Sequence, residues 1–219
     1  MPINYIMRLV VSMKIMLGIA VLFNLVTAGF EMVSLIKLKR KIDIIKYYTY
    51  FQNALALIVS LVYSVFLCLN IIFDYIVPEY LKGLRYVTVV GLLMTSFVYI
   101  VFLSSKKSNQ LSNEDFNNFN PKLANLMLHY LCPFISLVSF VVFEKSITLE
   151  NGIWTTLAII PTALYWILYL IFVTTKIWKE PYDFSLSSEK KRNKLLEVLQ
   201  IISLPISFIL ISFVVWTIK

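Results

Sequence analysis

The chain has 219 residues, of which 59% are hydrophobic and only 15% charged, with a mean hydropathy of +0.81. A water-soluble domain does not carry so much apolar surface, so a soluble enzyme or binding module is excluded. The formal net charge is +8, but the basic residues sit in short runs between apolar segments, a pattern that sets membrane topology and is not a nucleic-acid footprint.

A bilayer span takes about 20 apolar residues, and six stretches qualify. The first is predicted over Ile15–Ile36; no small-residue cleavage site marks it as a signal peptide, so it is read as a retained span. It contains Asn24 and Glu31. A carboxylate in this place is costly unless paired or protonated. Glu31 lies within two turns of the basic run that begins at Lys37, and is expected to reach the interface and meet it. The second span, Tyr47–Phe73, opens with Tyr-Tyr-Thr-Tyr-Phe-Gln-Asn. Thr49, Gln52 and Asn53 stand at i, i+3 and i+4 and share one helix face. Polar side chains grouped on one face should point at protein and not at acyl chains. A membrane threonine can also stay silent by bonding back to the carbonyl four residues earlier. The third span, Leu84–Leu103, follows a turn marked by Pro78; Lys82 and Arg85 at its start are expected to snorkel to the headgroups.

The fourth span, Lys122–Phe143, carries the only histidine, His129. An imidazole in hydrocarbon is expensive and marks a functional site by default. Asn125 lies four residues before it on the same face. Pro133 lies four residues after it and has no N–H, so the His129 carbonyl loses its helical partner. Freed backbone beside a polar ring is how irregular sites arise in membrane helices. The alternative is a histidine that bonds between helices as packing glue. After the short turn Glu144–Asn151 comes the fifth span, Gly152–Thr174, with a kink expected at Pro161. The sixth is Leu195–Trp216, with Pro205 inside it. The fold class is therefore all-α, a single bundle of six transmembrane helices over residues 1–219. Cys68 and Cys132 fall inside spans and show no metal-ligand spacing or disulfide framework. No metal, cofactor or nucleic-acid partner is expected.

Fourteen of the twenty lysines and arginines lie in or beside the first, third and fifth connections. The positive-inside rule then places these connections in the cytoplasm and both termini outside. The second and fourth spans both begin at the cytoplasmic face, so Thr49 and His129 share a leaflet, with Glu31 near them. His129 would lie roughly 10 Å deep at about 1.5 Å per residue.

These motifs resemble a known family. The heptad at Tyr47–Asn53 is similar to the threonine motif of the androgen-induced and androgen-dependent membrane hydrolases. Asn125-Leu-Met-Leu-His129, followed by Cys-Pro-Phe, resembles their Asn-x-x-x-His motif. Pro181–Phe184 resembles their Tyr-Pro-Phe loop, with Asp183 where proline is usual, and Leu84–Tyr86 resembles the bacterial six-span branch. The resemblance implies an integral protein of a bacterial cytoplasmic membrane that hydrolyses lipid esters such as fatty acid esters of hydroxy fatty acids. Thr49 would be the nucleophile and His129 the general base. A threonine hydroxyl needs such a base within hydrogen-bond reach, and neutral imidazole suits the task. Gln52 or Asn53 could donate to the oxyanion, and Glu31 or Asn125 could orient His129. The partners implied are membrane lipids and a lipid ester arriving sideways from the bilayer. The competing reading is a small lipid or solute carrier whose cavity the same polar residues line.

Overall fold

The computed structural model describes residues 3–38, 47–103, 117, 119–147, 149–177 and 194–219. Among them every regular element is helical. In chain order they are α1 (Ile3–Ile36), α2 (Tyr48–Phe73), α3 (Glu79–Val98, continued by a π-helical turn at Tyr99–Leu103), α4 (Pro121–Phe143), α5 (Ile153–Thr174) and α6 (Lys194–Ile218). Helices α1 to α5 are each long and apolar enough to cross a membrane, whereas the described apolar part of α6, Leu204–Ile218, is shorter. The architecture is that of an integral membrane helix bundle.

Local chemistry sets the helix ends. Helix α2 stops where Asp74 turns left-handed at φ 52°, its N–H donating to the Asn70 carbonyl at 3.0 Å. Helix α4 starts on Asn120, whose side chain accepts from the Lys122 N–H at 2.9 Å, with Pro121 in the first turn where a missing N–H costs nothing. Pro161 cannot donate to the carbonyl of Leu157, and α5 is interrupted there, between Leu157 and Ile159. At one end of the bundle the Asn117 N–H donates to the Lys37 carbonyl at 2.8 Å, which joins the first and third connections. At the other end Glu79 Oε1 accepts from the backbone N–H groups of Glu150 and Asn151 at 3.1 and 3.3 Å. Residues 39–46 of the basic run that begins at Lys37, and residues 178–193 with the Pro181–Phe184 motif, lie outside the described residues.

Helix α3 is the centre. Of its apolar window 61% is buried, against 39% or less for the other four spans. Two glycines let neighbours press onto it. A Cβ at Gly83 would lie 2.0 Å from the Trp154 ring of α5, and one at Gly91 would lie 2.5 Å from Gln52 Oε1 of α2. Small residues serve membrane packing in this way because close backbone approach replaces a hydrophobic driving force. An aromatic core that includes Tyr48, Tyr86, Phe140, Tyr165 and Phe208 joins α2 to α6, while Ile58, Leu164 and Phe213 face outward to lipid.

Two charged side chains depart from their expected placement. Arg85 does not snorkel. It is fully buried and bonds to Glu144, which is also fully buried, Nη2 lying 3.1 Å from Oε1. Arg85 Nη1 also donates to the Ser136 hydroxyl at 2.7 Å. Glu144 Oε1 further accepts from Ser139 Oγ at 2.7 Å and Asn24 Nδ2 at 3.1 Å. Planar guanidinium satisfies a carboxylate and a hydroxyl at once, which an ammonium could not do with the same geometry. Glu31 does not reach the interface either. It is fully buried, and neither carboxyl oxygen has a hydrogen-bond partner among the described residues. It faces inward because α1 turns that side toward α4, where Cys132 donates to the Thr27 carbonyl at 3.9 Å one turn away. The ion pair ties α3 to the C-terminal end of α4, and Asn24 ties α1 to the same carboxylate.

Removing one partner of a buried pair strands the other charge, which costs about 3–5 kcal/mol. Arg85→Met and Glu144→Gln are each expected to lower the thermal unfolding midpoint of detergent-solubilised protein sharply. The double change Arg85→Met with Glu144→Met should cost clearly less than the sum of Arg85→Met and Glu144→Met, since no charge is left stranded. Additive losses would show that the two side chains act independently.

Candidate functional site

The site grows from an irregular stretch of α4. Its four segments are α-helical at Pro121–Leu126, π-helical at Met127–Leu131, α-helical at Cys132–Val138 and π-helical again at Ser139–Phe143. The cause of the first π turn is legible. Pro133 offers no N–H to the His129 carbonyl, and the Cys132 N–H reaches back five residues to Met127 instead. The freed carbonyl of His129 is taken up by the Ser96 hydroxyl of α3. In a bilayer a backbone group released by proline must find such a partner.

The wider turn holds His129 inside the bundle, 4% exposed. Its ring stacks on Tyr99, with centroids 4.0 Å apart and planes 16° from parallel. The backbone of Thr95 lies beside it, and Nδ1 has no hydrogen-bond partner among the described residues. The imidazole is therefore held by stacking on one face, while one ring nitrogen keeps its hydrogen-bonding capacity in reserve.

Thr49 sits half-buried in the first turn of α2 and lines a small cavity of about 20 Å³ with Tyr48, Met94, Val98, Thr162 and Tyr165 among its neighbours. That volume holds about one water molecule. Met94 and Val98 belong to the same two turns of α3 that carry Thr95, Ser96 and, at their end, Tyr99. Thr49 and His129 thus flank one short length of α3, and α2 also touches the 127–131 turn directly. No hydrogen bond joins Thr49 to His129 among the described residues.

The two amides of α2 are partly engaged. Gln52 Nε2 donates to the Tyr48 hydroxyl at 3.2 Å, and that hydroxyl pairs with Thr162 Oγ1 at 2.8 Å. Asn53 Nδ2 donates to the Thr49 carbonyl at 2.7 Å. Each amide has a second N–H, and the side-chain oxygens of both are buried without hydrogen-bond partners among the described residues. Asn125 Oδ1 is likewise unpartnered, and no bond joins Asn125 or Glu31 to His129 among the described residues. Glu31 instead lies within electrostatic reach of Arg85. Tyr48, Ser96, Tyr99 and Thr162 were not visible as site residues in the sequence. Only Tyr48 carried a signal, standing four residues before Gln52 on its face. Compared with protein-family models, with curated proteins and with solved structures, the chain matches none of them.

Ser96→Ala removes the hydroxyl that caps the His129 carbonyl. An unsatisfied buried carbonyl costs about 1–3 kcal/mol, so the unfolding midpoint should fall, and the tyrosine absorbance of Tyr99 should report a loosened ring stack. An unchanged midpoint would mean that the carbonyl finds another donor at no cost.

Proposed function

We propose that this protein is an intramembrane hydrolase of lipid esters, with Thr49 as nucleophile and His129 as general base. The observation that carries the reading is the shared placement of the two groups: the Thr49 cavity and the His129 stack sit on the same turns of α3. The likeness of the Tyr47–Asn53 and Asn125–His129 motifs to the threonine hydrolases supports the same assignment. The free Nδ1 of His129 is the kind of acceptor that a hydroxyl nucleophile requires.

In the proposed cycle His129 takes the proton of the Thr49 hydroxyl as its oxygen bonds to the ester carbonyl carbon. The second N–H of Gln52 or Asn53 donates to the oxyanion, a role typically worth about 3–4 kcal/mol. The carbon–oxygen bond to the alcohol breaks, and His129 returns the proton to that alcohol. A water then gives a proton to His129 and attacks the acyl-threonine, releasing the fatty acid and restoring both side chains. The cavity beside Thr49 has room for that one water.

The same proposal takes α6 as a sixth span and sets both termini outside the cytoplasm, in a bacterial cytoplasmic membrane. The supports are the charge asymmetry and the bond between Asn117 and Lys37, which puts the first and third connections at one end. In a background without Cys68 and Cys132, cysteines placed at Ser108 and Ser187 should resist impermeant thiol reagents in intact cells. Labelling of both from outside would invert the orientation.

A carrier is the second reading, and Glu31, fully buried with no hydrogen-bond partner among the described residues, favours it, because such groups also mark ion and solute pathways. Covalent chemistry separates the two. A fluorophosphonate probe should label the wild type and fail on Thr49→Ala and on His129→Ala. Thr49→Ser should keep part of the labelling, since it retains the oxygen and loses only the methyl that restricts χ1. Undiminished labelling of Thr49→Ala would move the nucleophile elsewhere. Absence of labelling and of ester turnover in the wild type would leave the carrier.

A further inference from the structure

Helices α5 and α6 touch near the Ile153–Leu157 turn, where the Ser212 hydroxyl donates to the Thr155 carbonyl at 2.9 Å. Beyond Ile159 a cavity of about 260 Å³ opens between them. Its walls include Ala163, Leu170, Pro205 and Phe208, and they are almost wholly apolar. Ala163 and Leu170 are exposed on the outer side of the bundle, where acyl chains are the solvent. The inner end is shared: Thr162, Trp166 and Leu204 line both this groove and the Thr49 cavity. The Thr162 hydroxyl is already bonded to Tyr48, so the junction shows the groove a methyl group and an indole, not a free polar atom.

Resting on the hydrolase reading above, we infer that the α5–α6 groove is the acyl-chain subsite of the enzyme. It admits one hydrocarbon chain of the lipid ester laterally from the bilayer and leads its ester group to Thr49. Three observations support this occupant over a protein partner. The groove opens toward lipid, it offers nothing to satisfy a polypeptide backbone in hydrocarbon, and it runs inward to the candidate nucleophile. Its size suits the role, since apolar cavities of about 150 Å³ already admit benzene, and a chain entering from the side needs no aqueous route. The groove then sets chain-length preference, as the depth of an apolar pocket does in other enzymes.

The test uses the full-length protein in nanodiscs and a series of p-nitrophenyl esters of increasing acyl length. Ala163→Trp and Leu170→Trp fill the groove from lipid-exposed positions, where a larger side chain does not disturb the core. Both should shift the kcat/KM profile toward shorter chains, with the long-chain ester losing roughly tenfold or more relative to a short one. Ile167→Trp, exposed on the same helix but outside the groove, should keep the wild-type profile. A parallel photocrosslink with a diazirine-bearing long-chain fatty acyl ester should map to α5 and α6 and be suppressed by Leu170→Trp alone of the exposed pair Leu170 and Ile167. Turnover with one profile for all variants would overturn the groove assignment and leave the hydrolase standing. Groove crosslinks without any turnover would keep the lipid site and overturn the hydrolase reading. Crosslinks spread evenly over the outer face would overturn the groove in either case.

Discussion

A guanidinium and a carboxylate, both wholly removed from solvent, meet at the end of α3 and α4, and much of the bundle depends on their meeting. In hydrocarbon neither Arg85 nor Glu144 could be left alone. Each therefore demands a particular neighbour at a particular height. Asn24 brings α1 to the same carboxylate, and Ser136 and Ser139 hold the pair from within α4. Apolar packing alone would not fix the rotation of these helices, because lipid tails compete with Leu and Val for the same contacts. The ion pair supplies the directional constraint, and the close approaches at Gly83 and Gly91 supply the fit.

The candidate site stands toward the other end of α3 and obeys a related rule. Proline at position 133 withdraws one backbone donor, the chain widens into a π turn, and the Ser96 hydroxyl on α3 satisfies the carbonyl that is released. The imidazole is carried inward by that local widening and stacks on Tyr99. Thr49 reaches the same stretch of α3 from α2, beside a cavity on the scale of one water. Helix α3 thus works as a common spine, with its structural charges near one end and the groups of the proposed chemistry near the other.

Five of the spans and the consequence of Pro133 were legible in the sequence for the same reason, since both follow from local rules: a length of apolar residues, and a missing N–H. The C-terminal ends of α1, α2, α4 and α5 fall at the residues expected from hydropathy. Arg85, Glu31 and Glu144 were not legible. Each lies near the end of an apolar run, where a long side chain can either snorkel or turn inward, and one-dimensional position does not distinguish the two. What decides is a partner on another helix, such as Glu144 for Arg85, fifty-nine residues away. Ser96 and Tyr99 carry no signal of their own in the sequence, because their significance comes from His129 across the interface.

A stacked histidine, a threonine beside a small cavity and an apolar groove opening to lipid make up the proposed catalytic path. That path turns on a covalent acyl-threonine. The most direct measurement is peptide mass spectrometry of the protein in nanodiscs, quenched with acid during incubation with a long-chain lipid ester. An acyl mass is expected on the peptide that contains Thr49, absent in Thr49→Ala and accumulating if water attack is slowed. Steady release of fatty acid with no acylated peptide at any time, or an acyl group carried by another residue, would contradict it.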